Sequence, residues 1–212
     1  MALQALLSEI DPSWFAAGDE PLPPELLRRA RGSALGRRLL VRGLLREGAA
    51  RALFAPRPGQ DFATLATRWP RARLERLTRD LGVLAYAPLI RAEVRREPVR
   101  RLKRALGNSY LLALDPSVWD AKVAPEVARR LAAAWDGALR ADADDARLLA
   151  LFARQGRDEL RAWAAQREPA LGEWVALLHP REDAGPAHLP EKPVLLLCTH
   201  HETRALTENR RR

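Results

Sequence analysis

One cysteine, Cys198, is all the thiol chemistry this chain holds. A lone cysteine cannot close an internal disulfide, which excludes the disulfide-stapled secreted class and fits a reducing compartment. Histidine is nearly as scarce: there are four, all beyond residue 178, so none can serve a nucleophile from within the preceding stretch of chain. No lysine or arginine stands between Met1 and Asp11, so the positive start of a secretory signal is lacking and no export is expected. No run approaches the roughly 20 apolar residues that cross a bilayer. The phosphate-cradling glycine-rich loops, the His-Glu-x-x-His zinc pair and the Gly-x-Ser-x-Gly elbow are all missing, so the expectation is a protein without enzymatic activity and without a cofactor or metal.

What is present suits a folded helical protein. Of 212 residues, 47% are hydrophobic and 30% charged, enough for a core and too apolar for global disorder. The net charge of +9 is unevenly spread. Residues 1 to 27 hold five acidic groups and no basic one, whereas 28 to 104 hold 21 basic and six acidic, a local excess of +15. Such a zone attracts nucleic acid, anionic lipid or an acidic protein surface alike. Arginine outnumbers lysine 33 to 3, which together with abundant Ala, Leu and Pro points to genome composition more than to guanidinium chemistry.

Apolar spacing predicts an all-α fold, an irregular multi-helix bundle over residues 1–178, followed by a proline-containing C-terminal segment, 179–212, either docked or mobile. The opening Asp11-Pro12-Ser13-Trp14-Phe15 reads as a short helix or turn, and Pro21, Pro23 and Pro24 as a connection ending before Glu25. From there to about Glu47, Leu26, Ala30, Val41 and Leu44 share one side of a helical wheel, and Arg31, Arg38, Arg42 and Arg46 the other. Gly32, Gly36 and Gly43 allow a kink or a split into two helices. Asp61 is a candidate N-cap, and Pro70 suits the first position of a helix carrying Leu74, Leu77, Leu81 and Leu84. Further helices are expected around Leu89 to Arg96, over Val99, Leu102 and Leu106 with Gly107 as C-cap, and over Pro125 to Arg140 with Val127, Leu131, Trp135 and Leu139 in a stripe. Pro180 to Pro193 reads as an extended connection. In Pro193 to Thr199, four consecutive apolar residues form either a short buried strand or a helix turn.

Few residues suggest chemistry. Cys198, His200, His201 and Glu202 superficially resemble a zinc-deaminase motif but lack its second cysteine pair, which favours a buried or incidental thiol beside exposed histidines. Asp142, Asp144 and Asp145 lack the spacing of a calcium loop and suit the first turn of the following helix. Among six tryptophans, Trp135, Trp163 and Trp174 lie in amphipathic periods and are expected in the core, while Trp14 is the best interface anchor. The partner-binding candidates are therefore Trp14, Arg31, Arg38, Arg42 and Arg46. The arginine face lacks the interleaved exposed aromatics of single-strand binders.

A longer pattern adds to this: Trp69-Pro70, Leu74, Leu77, Leu81-Gly82, Ala87-Pro88, Ile90-Arg91, Val94, Val99, Leu102, Leu106-Gly107 and Tyr110. With Asp11-Pro12-Ser13-Trp14 and Leu22-Pro23-Pro24-Glu25-Leu26, it resembles the SctK family of bacterial type III secretion, over most of residues 11 to 114. The resemblance implies a cytoplasmic sorting-platform adaptor, recruited to the inner membrane, that links the cytoplasmic domain of the inner-membrane ring protein to the pod protein. It brings no enzyme activity, no cofactor and no small-molecule substrate. The alternative drawn from charge is a basic nucleic-acid-binding protein, whose affinity would fall steeply with salt.

Overall fold

The computed structural model describes residues 2–17, 20–55, 68–140 and 144–209. Helices dominate them: α1 (Ala2–Glu9), α2 (Pro24–Gly32), α3 (Ala34–Arg46), α4 (Arg71–Ala85), α5 (Ala87–Ala92), α6 (Arg96–Leu106), α7 (Tyr110–Leu114), α8 (Pro125–Ala138), α9 (Asp145–Arg167), α10 (Pro169–Leu177) and α11 (Glu191–Asn209). The strands among the described residues are two residues each, β1 (Ala16–Ala17) and β2 (Glu20–Pro21), paired antiparallel. The all-α expectation holds. Asp61 and Asp142 lie outside the described residues.

Two compact units interleave along the chain. One comprises residues 1–74 and 161–184, the other 75–160 and 185–212. In the first, Leu6, Leu7 and Ile10 of the N-terminal segment are buried, as are Leu27, Leu40, Leu44, Leu171 and Trp174. The Asp11 carboxylate caps a 3₁₀ turn over Pro12–Trp14 by accepting from the Ser13 amide at 2.9 Å. The Glu173 carboxylate accepts from the amides of Ala52 and Leu53 at 2.9 and 2.7 Å, securing the turn after α3.

The basic segment is split into two helices at Ser33. That residue is extended (φ −105°, ψ 148°), and its hydroxyl accepts from the Gly36 amide at 2.9 Å as the N-cap of α3. A Cβ on Gly36 would lie 2.3 Å from the Ala30 carbonyl oxygen, so only glycine lets α3 leave at this angle. Arg37 reaches back to the Arg31 and Gly32 carbonyls at 3.1 and 3.3 Å, serving the open end of α2. The break resets the helical phase, which corrects the single wheel drawn across it: Leu27 is buried and Leu26 is 49% exposed.

In the second unit, Leu77, Leu81 and Leu84 of α4 are buried, as periodicity predicts, and so is Leu74 in the first. α4 and α9 cross with their backbones in contact. A Cβ on Gly82 would sit 1.8 Å from the Phe152 carbonyl oxygen, and one on Gly156 would sit 1.6 Å from that of Thr78. Beside this crossing Tyr86 stacks on Trp135 at 5.9 Å and meets Phe152 edge-on at 5.5 Å. Gly107 closes α6 as expected.

Residues 180–190 form neither helix nor strand, and the chain then forms α11 rather than a strand. Val194, Leu197, Cys198 and His201 are buried while Leu195 and Leu196 are 49% and 43% exposed. The buried positions thus follow helical spacing, and the two outward leucines hid that period in a continuous apolar run.

Candidate functional site

α3 contains four arginines and no acidic residue. Leu40 and Leu44 are buried, which turns Leu35, Arg38, Leu39, Arg42 and Arg46 outward within an arc of about 100° and a length of about 16 Å. Leu35 is 67% exposed and Leu39 56%, values well above those of a helix face closed by its own chain. Among the described residues Arg38, Arg42 and Arg46 make no ion pair or hydrogen bond through their side chains. Their charge is therefore available to a partner, and the leucines between them supply apolar area.

The other candidates are placed differently. Arg31 ends α2 half-buried: it donates to the Ile10 carbonyl at 2.7 Å and lies over the Phe15 ring at 5.4 Å. Burial pulls its pKa down, with Asp11 opposing. It braces α1 and does not join the α3 row. Trp14 is half-buried, its indole N–H donating to the His179 carbonyl at 2.8 Å and its ring lying 5.5 Å below the Arg181 guanidinium. Arg181 in turn pairs with Glu47 at 2.6 Å. Trp135 and Trp174 are in the core, as are Trp69 and Trp119, while Trp163 is half-buried.

The residues that suggested zinc chemistry share one helix but face different surroundings. Cys198 and His201 are buried, whereas His200 is exposed. His201 Nε2 meets Asp80 Oδ2 at 2.9 Å, and the Ser109 hydroxyl donates to Asp80 Oδ1 at 2.6 Å. The aspartate stands between the other two groups, so the imidazole is not placed to take a proton from the hydroxyl. Asp144 accepts from the Arg147 amide at 2.8 Å, a capping contact, and Asp145 pairs with Arg101 and Arg104. Hydrogen bonds from Arg101 first, and then Arg104, hold the Asp145 carboxyl below its ordinary pKa. No group of three or more His, Cys, Asp or Glu side chains among the described residues is arranged to hold a metal ion.

Sequence reasoning missed a buried polar lock in the second unit. Glu159 is 1% exposed, yet its carboxylate accepts from the amides of His188 and Leu189 and from Gln155 Nε2, at 2.8–3.1 Å. The Ala85 carbonyl, 3.2 Å from His188 Nε2, fixes a proton there. In the neutral ring Nδ1 then accepts from Arg130 at 3.2 Å; in the protonated ring it faces Glu159 Oε1 at 3.0 Å. Burial raises the Glu159 pKa, but the His188 ring and the two amides outweigh it and leave the carboxyl below its ordinary value. These contacts attach the irregular segment 180–190 to α9. A polar residue at 159 inside an apolar period was the available signal.

No family model, curated protein or solved structure matches the chain. Among the described residues, no helix is long and apolar enough to cross a membrane.

Proposed function

We propose that this protein is a non-enzymatic adaptor that docks an acidic protein surface onto the outward face of α3. The observation that carries the proposal is the interleaving on that face: Arg38, Arg42 and Arg46 alternate with Leu35 and Leu39, and none of the three arginines is engaged within the described chain. Burying each exposed leucine against a partner contributes about 1–2 kcal/mol. The guanidiniums set orientation and on-rate more than affinity. A purely electrostatic phosphate-tracking face has no use for leucines at two of these five positions.

The resemblance of residues 11 to 114 to the SctK pattern supports a specific version: a cytoplasmic sorting-platform component, recruited to the inner membrane through its partners, that joins the inner-membrane ring protein to the pod protein. The test is a pull-down of the full chain with the ring protein's cytoplasmic domain and with the pod protein. Retention of at least one at moderate salt, abolished by Arg38→Glu with Arg42→Glu, is expected; failure of both partners to associate overturns the assignment.

The +15 balance of residues 28–104 favours nucleic-acid binding as a second reading. A gel shift decides it, because phosphate-driven binding would weaken steeply as salt rises.

A further inference from the structure

A concave surface in the second unit gathers six guanidiniums. Arg95, Arg96, Arg100, Arg101 and Arg104, from the start and outer face of α6, and Arg140, just past α8, line an open basin of about 1190 Å³ together with four carboxylates. α6 is sharply segregated: Leu102 and Leu106 are buried, and the charged side chains point away from them.

The pairing inside the basin shows what these guanidiniums bind. Arg101 and Arg104 share Asp145 at 2.9 and 3.0 Å, and Arg100 holds Glu97 at 3.1 Å. Among the described residues Arg96 and Arg140 make no ion pair and no hydrogen bond through their side chains. The lining groups carry a positive excess of two, which Glu93, holding Arg95 at 2.6 Å from just outside the lining, reduces to one. The Arg96 and Arg140 forks stay unpaired among the described residues, beside arginines already poised for carboxylates. Pro98 and Leu139 add apolar wall.

We propose that this basin is a docking site for an acidic peptide segment of a partner protein, its carboxylates taken by Arg96 and Arg140 and an apolar side chain set against Pro98 and Leu139. Charge complementarity selects this occupant over nucleic acid. A phosphate backbone would run past the resident carboxylates Glu97, Asp136 and Asp145 with repulsion, and no aromatic ring lines the basin to stack a base. A peptide can place its charges between those of the basin, as a continuous polyanion cannot. The inference is independent of the α3 reading, since the two faces belong to different units.

Fluorescence anisotropy of the full chain tests it, with a short fluorescein-labelled peptide of repeated Glu-Glu-Leu as probe, and single-stranded DNA and inorganic polyphosphate as competitors. The probe should bind, and Arg96→Ala with Arg140→Ala should weaken it about tenfold at low salt. That double variant removes no ion pair or side-chain hydrogen bond among the described residues, so an unchanged far-UV circular dichroism melt is expected. Arg96→Lys with Arg140→Lys should recover part of the loss, since charge is restored without the fork. Arg38→Glu with Arg42→Glu, which tests α3, should leave probe affinity within about twofold. No binding of the probe, equal affinity for the double alanine variant, or displacement by DNA or polyphosphate at lower concentration than by unlabelled peptide would each overturn the assignment.

Discussion

Replacing Glu159 should loosen the second unit by a calculable amount. Its carboxylate satisfies three N–H groups inside the protein: the amides of His188 and Leu189 and the side chain of Gln155. In Glu159→Ala, Gln155 retains the Pro186 carbonyl at 3.1 Å, but the two amides lose their acceptor. A partly buried donor left without a partner costs toward the low end of about 1–3 kcal/mol, so the two amides and the lost side-chain packing together cost about 4 kcal/mol. Glu159→Gln keeps one acceptor oxygen and turns an amide N–H toward a donor, for a loss of about 2 kcal/mol. Urea unfolding of the full chain, followed by circular dichroism at several wavelengths, reads both. With a slope of about 2 kcal/mol per molar urea, the alanine variant should lose about 2 M in its midpoint. Hydrogen exchange localises the effect: the His188 and Leu189 amides should exchange far faster while those of α3 stay as they were. A midpoint shift under about 0.5 M, with both amides still protected, would refute the claim that this carboxylate holds the irregular segment 180–190 to α9.

The same carboxyl gives a pH dependence. Because its folded pKa is depressed, its stabilisation is fully present above the ordinary value of 4.5 and is lost as pH falls through the lowered one, so Glu159→Gln should flatten the acid limb of a stability curve. Gly156→Ala should be among the most damaging single substitutions, costing several kcal/mol (~3–5), because its methyl meets the Thr78 carbonyl rather than a side chain that can move; a thermal melt checks this. Ser33→Ala removes the N-cap of α3 and should cost about 1 kcal/mol by urea titration. Leu35→Ser with Leu39→Ser should leave the melt within a few degrees yet weaken partner retention in the pull-down, since both side chains face solvent.

How much of this was readable in the sequence depended on whether a local rule was in command. α4 follows from Pro70 and the three-four-three leucine spacing because intrachain packing and periodicity agree there. The basic segment was readable as helical and as divisible, but the phase of its two halves was not, since Ser33 turns the chain by an angle no wheel contains. Arg31 and Arg38 look equivalent on paper and end in opposite circumstances for that reason: one braces the Ile10 carbonyl, the other meets solvent. Leu35 and Leu39 were invisible as surface residues because an exposed leucine carries the same letter as a buried one. The Glu159 lock and the arginine basin join residues far apart in the chain, and such pairings leave no periodic trace.

The glycine crossing of α4 and α9 reaches beyond stability. Where two backbones touch at van der Waals distance, the constraint is on volume alone and tolerates almost no drift, whereas leucines around it can exchange freely for other apolar residues. Distant homologues that have lost every other visible likeness would still have to keep minimal side chains at the counterparts of Gly82 and Gly156. That pair, set in two amphipathic helices, is the mark by which a search among divergent chains can find others built on this plan.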